Sequence, residues 1–380
     1  MDEGKTYVPW TPTIAGKEIY VADFIPVKDN VKTSKNIVIW PIDKHKTTPA
    51  IIIYKNHSGV RTDLIRESDY QKNFYLHGRV YLVLRTIEDD LCLFTLNRSD
   101  HLVRIICKLS PYEESGYKCP IVINSQIPGI IFANIKTYRG DSKTVISFDN
   151  GKHFEPIKLN LQPSESSKKD CYVELILECK EDLITNFYPE KWVVTFNGMY
   201  HCGVSSNHHL FISFNGGRSW RIFHAFSEGF SVLNHGGLIL GRQFPEDKLW
   251  YSYDEGNNFY DVLNDDVFKI IPLESKNHLV ISAINLNEDN NMYSIFNYNF
   301  SNIISAFCLT VDRTCQRDDY ESWYVPRYYE NCFYGKEVSY LKKKPFAMCF
   351  DNRTEVLPNI KPCQCVREGF QWYKNLVIIV

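Results

Sequence analysis

The stretch Ser213–Trp220, SFNGGRSW, decides the fold because it recurs as SFDNGKHF at Ser147–Phe154 and as SYDEGNNF at Ser252–Phe259. Each copy follows an apolar segment of strand length and fits the template S-[FY]-[DN]-x-G-x-x-[FW]. The Asp or Asn side chain at the third position can accept hydrogen bonds from backbone N–H groups just ahead of it, which pre-forms a turn. The glycine two positions later can take a positive φ without a Cβ clash. The template therefore predicts a tight hairpin turn at all three places.

The turn-building positions of the template are the serine, the Asp or Asn, the glycine and the closing aromatic residue. We expect a structural role for these residues: Ser147, Asp149, Gly151, Phe154, Ser213, Asn215, Gly217, Trp220, Ser252, Asp254, Gly256 and Phe259. Such a turn is an Asp-box, which recurs between the outer strands of β-propeller blades and lies away from any active site. The copies are 66 and 39 residues apart, counted from Gly151 to Gly217 to Gly256. The shorter spacing is that of a four-stranded blade.

Short apolar and aromatic runs, separated by polar turns, dominate the chain from about residue 37 to residue 300. Most are filled by β-branched or aromatic residues, as is typical of strands. The runs are Asn36–Trp40, Ala50–Tyr54, Arg79–Arg85, Leu91–Leu96, Leu102–Leu109, Gly129–Ile135, Lys143–Asp149, Cys171–Glu178, Trp192–Gly198, His209–Asn215, Gly236–Arg242, Leu249–Glu255, His278–Ile284 and Met292–Phe300. We therefore predict an all-β fold. A partial β-propeller occupies residues 1–306, a small disulfide-rich module 307–370 and a non-conforming tail 371–380.

The composition suits a folded globular protein, since the 380 residues carry a formal net charge of −2 and are 44% hydrophobic. A near-neutral chain lacks the concentrated basic face that nucleic-acid binding requires, so we expect no nucleic-acid partner. The one basic run, Lys342–Lys344, is three residues long. Such a run is more typical of a solvated turn than of a binding patch.

Cysteine usage indicates an oxidising compartment. Five of the 12 cysteines lie between Cys315 and Cys365, a density typical of a disulfide framework. A zinc module is the competing interpretation, but no C-x-x-C pair occurs and only Cys363 and Cys365 are close together. The sequence therefore predicts disulfides and no metal or cofactor site.

Four N-x-S/T sequons agree with a luminal location, because this motif marks glycosylation acceptors in secreted proteins. They are Asn56, Asn97, Asn299 and Asn352. Met1–Tyr20 contains charged residues and no apolar core, unlike a signal peptide, and the apolar Leu376–Val380 is far too short for a membrane span. We expect the signal peptide and the membrane span to belong to parts of a longer precursor.

Two unrelated features, the blade-like segments and the cysteine spacing, together resemble the sortilin family of sorting receptors. The blade-like segments are Lys143–Phe154, Asp170–Leu177, Leu210–Trp220 and His235–Leu240. The features of the tail are Cys315, Asp318–Trp323, Cys332 with Tyr334-Gly335, Tyr340–Pro345, Cys349 and Cys363-Gln364-Cys365. The resemblance covers roughly residues 100–370. Because the family's propeller has ten blades, the resemblance implies that this chain holds only about the last five or six.

The resemblance also implies disulfide pairings, Cys315 with Cys349 and Cys332 with Cys363, and places the partner of Cys365 beyond residue 380. Spacing alone leaves the other combinations among the tail cysteines open. The family has two neighbouring cysteines where this chain has only Cys171, so a substitute partner is expected in Cys179 or Cys202. The pairing of the remaining cysteines stays open: Cys92, Cys107, Cys119 and Cys308.

By resemblance, the chain is the luminal ligand-binding region of a sorting receptor in the Golgi, the endosome or the cell surface. It would bind peptides or propeptides in the propeller tunnel. It would attach to the membrane only through a transmembrane segment that is missing from this chain. The resemblance is also compatible with a homodimer. In the family an arginine that grips a ligand carboxylate precedes a glycine. Here Pro128 precedes Gly129, so this anchor is not carried over. Arg79, Arg85 and Arg104 are alternatives, each more typical of a solvated strand residue.

Catalysis has little support in the sequence, and we predict no catalytic residues and no enzyme activity. The acidic residues of the Asp-boxes belong to turns. One His/Cys cluster is more typical of solvated loop histidines than of a metal site: His201, Cys202, His208 and His209. Two alternatives stay open, an Asp-box propeller that acts on glycosides as sialidases do, and an interaction propeller without cargo. Converging arginines would favour the first, and a tunnel filled by side chains the second.

Overall fold

The computed structural model describes residues 20–21, 37–39, 51–55, 58–62, 70–86, 88–96, 102–111, 118–138, 140–160, 171–178, 188–203, 205–223, 230–243, 248–262, 267–272, 279–287, 292–301 and 314–364. These residues fall into two compact units, one within Met1–Pro111 and one within Tyr112–Val366. No helix among them has the length and apolar character needed to cross a membrane.

The first unit contains two antiparallel four-stranded sheets whose strands lie in chain order. The first sheet comprises β1 (Tyr20–Val21), β2 (Ile37–Ile39), β3 (Ile51–Lys55) and β4 (Ser58–Thr62). The second comprises β5 (Tyr70–Leu76), β6 (Arg79–Arg85), β7 (Leu91–Leu96) and β8 (Leu102–Ile106). A disulfide joins Cys92 on β7 to Cys107, just after β8.

The second unit begins with three antiparallel four-stranded sheets, again in chain order, followed by a three-stranded sheet. The strands are β9 (Ile121–Ile123), β10 (Ile131–Lys136), β11 (Ser142–Ser147), β12 (Glu155–Pro156), β13 (Cys171–Leu175), β14 (Val194–Cys202), β15 (Ser205–Ser213), β16 (Arg221–Phe223), β17 (Ser231–Leu233), β18 (Leu238–Gln243), β19 (Lys248–Ser252), β20 (Tyr260–Asp261), β21 (Val267–Pro272), β22 (Val280–Asn287) and β23 (Met292–Asn299). Such repeated four-stranded meanders are propeller blades. The predicted all-β fold with part of a propeller is confirmed.

The disulfide-rich module ends the second unit with one antiparallel sheet. Its strands are β24 (Tyr320–Tyr324), β25 (Cys332–Phe333), β26 (Lys336–Lys343) and β27 (Pro358–Pro362), and β26 pairs with the other three. Disulfides join Cys315 to Cys349 and Cys332 to Cys363. The module and the blades of the second unit belong to the same compact unit. The domain boundary predicted between residues 306 and 307 lies within that unit and stays a prediction.

One core, rich in aromatic residues, joins the three four-stranded blades of the second unit and the module. The rings of Phe132 on β10, Phe196 on β14 and Trp220 meet with centroids 5.2, 6.0 and 6.1 Å apart. Val325 and Tyr340 of the module are buried in the same core. Each large aromatic side chain removes about 150–250 Å² from water on burial, so these rings dominate the packing energy.

A buried polar cluster joins the first two of these blades. Asn134 on β10, which is 0% exposed, donates from Nδ2 to the carbonyl oxygen of Leu175 on β13 at 2.8 Å. Thr144 on β11 donates to Asn134 Oδ1 at 2.6 Å and accepts the Leu175 N–H at 2.7 Å. Because these buried groups satisfy one another, the cluster can fix how the two sheets face each other at little cost in stability.

Replacing Asn134 with alanine should lower the free energy of unfolding by about 2–3 kcal/mol, because Leu175 and Thr144 would each keep an unpaired polar group in the interior. Urea unfolding measures this loss. Asn197 on β14 is exposed, and the matched control N197A should change the free energy by less than about 0.5 kcal/mol. Equal effects of the two substitutions would contradict the role given to the cluster.

Candidate functional site

The three predicted turns occupy equivalent positions in consecutive blades. Ser147–Phe154 leads from β11 to β12, Ser213–Trp220 from β15 to β16 and Ser252–Phe259 from β19 to β20. Each segment therefore joins the third and fourth strands of a four-stranded sheet. We call these three segments the Asp-box turns.

In the first Asp-box turn, side chains bond to backbone groups that the strands leave unpaired. Ser147 Oγ donates to Asp149 Oδ1 at 2.9 Å and accepts the Gly151 N–H at 2.7 Å. Asp149 Oδ1 also accepts the N–H groups of Lys152 and His153, both at 3.0 Å. The carboxylate thus serves as an acceptor that holds the turn closed.

The other two Asp-box turns repeat this pattern. The serine hydroxyl accepts the glycine N–H at 2.8 Å in the second turn and at 2.9 Å in the third. Asn215 accepts the N–H of Ser219, and Asp254 accepts those of Asn257 and Asn258. Burial opposes ionisation of Asp254, but the hydrogen bonds that its carboxylate accepts outweigh burial and lower its pKa. The acid of the third turn is therefore held as a carboxylate within the turn.

Two adjacent residues of each turn have left-handed backbone conformations, although the template marks only the glycine. The marked glycines have φ values of 89°, 93° and 74°. The preceding residues are also left-handed, with φ of 67° at Asn150, 71° at Gly216 and 58° at Glu255. A glutamate rarely takes this conformation, so surrounding contacts must hold Glu255 there.

The marked glycines let the second and third turns approach the preceding blade closely. A Cβ atom at Gly217 would lie 2.9 Å from Ile146, and one at Gly256 would lie 2.8 Å from Phe223. Carbon atoms pack best at about 3.5–4.0 Å, so a larger residue at either position would displace the side chain of Ile146 or Phe223 in the preceding blade. The turns therefore link each blade to the one before it.

The closing aromatic residues differ in burial. Trp220 is 0% exposed, and its indole N–H donates to the carbonyl oxygen of Gly217 at 2.8 Å. Phe259 is 47% exposed, although its ring meets that of Phe223 edge-on. Phe154 is half-buried. The second turn is therefore the most deeply anchored of the three.

The disulfide-rich module packs directly on the Asp-box turns. Tyr328 stacks on His153 of the first turn with ring centroids 4.0 Å apart. Trp323 and Pro326 lie so close to Gly216 of the second turn that a Cβ atom there would be 2.9 and 3.1 Å from them. The left-handed glycine before the marked one thus makes room for the module.

Lys342 on β26 connects the module to two of the turns. Its Nζ donates to the carbonyl oxygen of Phe214 at 2.9 Å and forms an ion pair with Glu255 at 2.6 Å. The ion pair is enclosed, since the side chains of Lys342 and Glu255 are 7% and 13% exposed. It supplies a contact that keeps Glu255 in its left-handed conformation.

The prediction of a solvated turn at Lys342–Lys344 is therefore wrong for Lys342 and Lys343, whereas Lys344 is exposed beyond the end of β26. Lys342 and Lys343 lie on β26 and are 5% and 4% exposed. Lys343 Nζ donates to the carbonyl oxygen of Ala347 at 2.6 Å, and burial lowers the pKa of Lys343 to about 8. The sequence rule fails here because Lys342 and Lys343 are both buried at the end of β26, and each ammonium donates to a backbone carbonyl oxygen.

His235, which precedes β18, lies at a polar junction between the third of these blades and the module. Its Nδ1 is 3.0 Å from Glu190 Oε1, and its Nε2 is 2.7 Å from the carbonyl oxygen of Arg353. Burial opposes the charged imidazolium, but the hydrogen bond and charge of Glu190, with the charge of Asp351, outweigh burial and raise the pKa of His235. The neighbouring Asn234 accepts the Asp351 N–H at 2.7 Å.

The His/Cys residues singled out in the sequence do not come together as a metal site. Cys202 forms a disulfide with Cys171, and is thus one of the two expected substitutes. His201 lies 2.9 Å from Ser206 Oγ and 3.3 Å from Glu174 Oε2. On β15, His208 is exposed and His209 is half-buried.

One cluster among the described residues has metal-ligand spacing, namely Cys315, Asp319 and Cys349. Cys315 and Cys349 are joined in a disulfide. A metal needs thiolate sulfur, so neither cysteine can serve as a ligand while the bond is intact.

The alternative carboxylate anchors lie in the first unit, whereas Pro128 lies in the second. Arg79 and Arg85 are on β6, where Arg85 pairs with a nearby aspartate at 3.0 Å, and Arg104 is exposed on β8. The carbonyl oxygen of Pro128 accepts a hydrogen bond from Arg327 of the module at 2.6 Å. Arg327 belongs to no recognisable motif, which is why it escaped prediction.

Two of the predicted glycosylation acceptors lie among the described residues. Asn299 at the end of β23 and Asn352 are both exposed. Asn299 Oδ1 accepts a hydrogen bond from the hydroxyl of Ser301, the third residue of its own sequon, at 2.7 Å. Asn56, Asn97 and the tail 371–380 lie outside the described residues. Glycosylation at all four asparagines stays a prediction.

Two family models match this chain in succession. A model described as Sortilin, neurotensin receptor 3, matches residues 122–274, and the corresponding C-terminal model matches residues 271–375. The first match covers the three four-stranded blades of the second unit, and the second covers the module. The two matches adjoin in the order in which the blades and the module occur.

Several curated proteins are similar over most of this chain. Vacuolar protein sorting/targeting protein 10 of Talaromyces marneffei is 24% identical over 66% of this chain and 17% of its own length. The protein of that name from Schizosaccharomyces pombe is 20% identical over 89% of this chain and 22% of its own length. VPS10 domain-containing receptor SorCS3 of Mus musculus is 26% identical over 64% and 21%. The chain thus spans about a fifth of the length of these relatives.

Among solved structures, the β-propeller domain of the Trilobed protease from Pyrococcus furiosus aligns over 86% of this chain and 92% of its own length, with 8% identity. Its TM-score of 0.28 is too low to inform the fold or the function. The sheet topology described above carries the fold assignment.

The difference in burial between the closing aromatic residues predicts different costs of truncation. Trp220→Ala should lower the free energy of unfolding by about 3–5 kcal/mol, because removing the buried indole leaves a cavity between the two blades whose rings contact it. Phe259→Ala should cost less than about 2 kcal/mol, because much of its ring already faces water. Urea unfolding of both variants tests this order, and an equal or larger loss for F259A would contradict it.

The raised pKa of His235 predicts that acid strengthens the junction. The protonated ring contributes stability that is fully present below its unfolded pKa of 6.5 and is lost as the pH rises through the higher folded value. His235→Gln should therefore destabilise the chain more at about pH 5.5 than at about pH 8.5 in urea unfolding.

The matched control for this measurement is His208→Gln, because His208 is exposed. The substitution should change the free energy of unfolding by less than about 0.5 kcal/mol at both pH values, as is usual for surface residues. If the loss of unfolding free energy in H235Q is the same at both pH values, the role given to protonated His235 at the junction is contradicted.

Proposed function

Because this chain is a member of the sortilin family of sorting receptors, we propose that it forms part of a luminal ligand-binding region. The receptor to which it belongs binds peptides or propeptides and escorts cargo between the Golgi, the endosome and the cell surface. The family is non-enzymatic, and the proposal extends this property to the present chain. One observation carries the proposal. The Asp-box turns and the disulfide-rich module form a single packed unit, in the family's order.

The covalent chemistry supports a luminal location. Four disulfides join described cysteines, in pairs Cys92–Cys107, Cys171–Cys202, Cys315–Cys349 and Cys332–Cys363. Such bonds persist in oxidising compartments, whereas cytosolic thiols are kept reduced. The exposed sequons at Asn299 and Asn352 fit the same compartment. Attachment to a membrane as a type I protein is part of the proposal.

The blades offer peptides a way to bind through backbone groups. In each blade of the second unit the first strand, β9, β13, β17 or β21, is the edge of its sheet. An extended peptide can add to such an edge as a further strand, with main-chain hydrogen bonds for affinity and side-chain pockets for specificity. The acidic residues of the Asp-box turns are occupied by backbone N–H groups, so they serve the turns in the binding proposal and in the glycoside alternative alike.

A display experiment tests the proposal. The chain, produced with its disulfides intact in an oxidising host, is screened against a library of propeptide segments from secreted proteins. We expect a subset to bind with micromolar or tighter affinity, while scrambled segments of the same composition do not. No enrichment over the scrambled library would contradict cargo binding. Turnover of a fluorogenic sialoside by the purified chain would instead establish the glycoside alternative. The mass of the chain in sedimentation equilibrium tests the predicted homodimer.

A further inference from the structure

Arg327, in the module segment between β24 and β25, is a buried cation without an acidic partner among the described residues. It is 5% exposed. Its Nη1 donates to the carbonyl oxygen of Pro128 at 2.6 Å, and its guanidinium lies 4.2 Å from the centroid of the Phe333 ring. The ionisable groups that act on it are the phenols of Tyr334 and Tyr340, and no carboxylate is among them.

A charge in this position is costly to keep. Burial lowers the pKa of Arg327 to about 10, so the side chain is still charged at neutral pH. Buried charges in proteins are normally paired, and the Phe333 ring offsets only part of the lost hydration. A guanidinium has five N–H donors, and within the described part of the chain the bond to Pro128 is the hydrogen bond that it makes. No anion among the described residues therefore balances the charge of Arg327.

The remaining donors of Arg327 keep a small contact with solvent. Its Nε and Nη2 make no hydrogen bond to the described residues and are not completely enclosed, although the residue as a whole is 5% exposed. With Nη1 bonded to Pro128, the edge formed by Nε and Nη2 offers two parallel N–H groups. This fork matches the two oxygens of a carboxylate.

Three tyrosines next to Arg327 and Phe333 in the chain are partly exposed. Tyr328, Tyr329 and Tyr334 are 41%, 47% and 47% exposed. Their rings are held in place: Tyr328 stacks on His153 and meets Tyr329 edge-on at 4.7 Å. Rigid tyrosines lose little entropy on binding, and tyrosine and arginine are enriched where protein interfaces concentrate their affinity.

We propose that Arg327 and these three tyrosines form a docking site for an acidic peptide segment. A carboxylate of the peptide bonds to the Nε and Nη2 edge of Arg327, and the tyrosines cover the chain on either side of it. The site lies on the module and not on the edges of the blades. It requires neither cargo transport nor peptide binding in the propeller, so it can be tested separately from the proposed function.

Fluorescence anisotropy with the intact, disulfide-bonded chain tests the site. Three labelled decapeptides serve as probes: alternating Glu-Ala with an amidated end, alternating Gln-Ala with a free carboxyl end, and alternating Gln-Ala with an amidated end. We expect at least one carboxylate-bearing peptide to bind about 10- to 100-fold more tightly than the neutral one. The first two probes distinguish side-chain from terminal carboxylates.

Arg327→Met should abolish this preference, because methionine keeps an apolar stem against Phe333 and removes the charge. Arg317→Met, which removes an exposed arginine of the module, is the matched control and should bind like the unmodified chain. If the charge serves a ligand, R327M should melt at the same or a higher temperature than the unmodified chain. A lower melting temperature with unchanged peptide binding would make the arginine merely structural and overturn the proposal.

Three further outcomes are decisive. If R327M does not fold, Arg327→Lys replaces it, since an ammonium cannot form the two parallel bonds and the preference should fall. An undiminished preference in R327K would overturn the proposal. So would equal binding of all three peptides to the unmodified chain, or tighter binding of a phosphoserine-containing peptide than of the glutamate peptide.

Discussion

The ammonium of Lys342, bonded to the backbone of one Asp-box turn and to the carboxylate of the next, is the contact on which the second unit depends. Glu255 has a left-handed conformation that glutamate avoids, and the ammonium of Lys342 occupies the carbonyl oxygen of Phe214. Lys342 can reach both only if the module lies against the turns. The geometry of the blades and the position of the module therefore determine each other.

The same mutual dependence recurs at the other turns. Gly216 leaves space that Trp323 and Pro326 fill, and His153 offers its ring to Tyr328. An Asp-box turn has mostly local hydrogen bonds, which contribute little to stability unless neighbouring groups exclude water. The module supplies that exclusion. Its disulfides in turn limit how far the short strands β24 to β27 can separate, since a module of this size buries too little apolar surface to hold itself together.

The sequence predicts those parts of the fold that depend on local chemistry. The Asp-box template identifies the turns, and the apolar runs locate the second and third strands of the blades, with β6 and β7 bounded as predicted. The fourth strands β12, β16 and β20 are two or three residues long. Pairing with the preceding strand creates them, so no residue pattern announces them. The sequence leaves Cys179 and Cys202 as candidate partners of Cys171, because their choice depends on strand pairing. The register of β13 with β14 places Cys202 opposite Cys171.

The interactions between the blades and the module were harder to predict, because they join residues far apart in the chain. Nothing around Lys342 indicates that Phe214 and Glu255 will surround it, and nothing around Arg327 indicates that Pro128 will accept its hydrogen bond. A charged residue is usually exposed, so a rule based on residue type places both side chains in water. Only the assembled sheets show that these charges are enclosed.

Hydrogen exchange of the native chain, followed by mass spectrometry, tests most directly whether the module and the Asp-box turns are one cooperative structure. Peptides that cover residues 213–220, 252–259 and 336–343 report on the two turns and on β26. If Lys342 and its neighbours join them, the protected amides in all three peptides open with a common free energy. Exchange of β26 at an independent, faster rate while the turns stay protected would contradict the account.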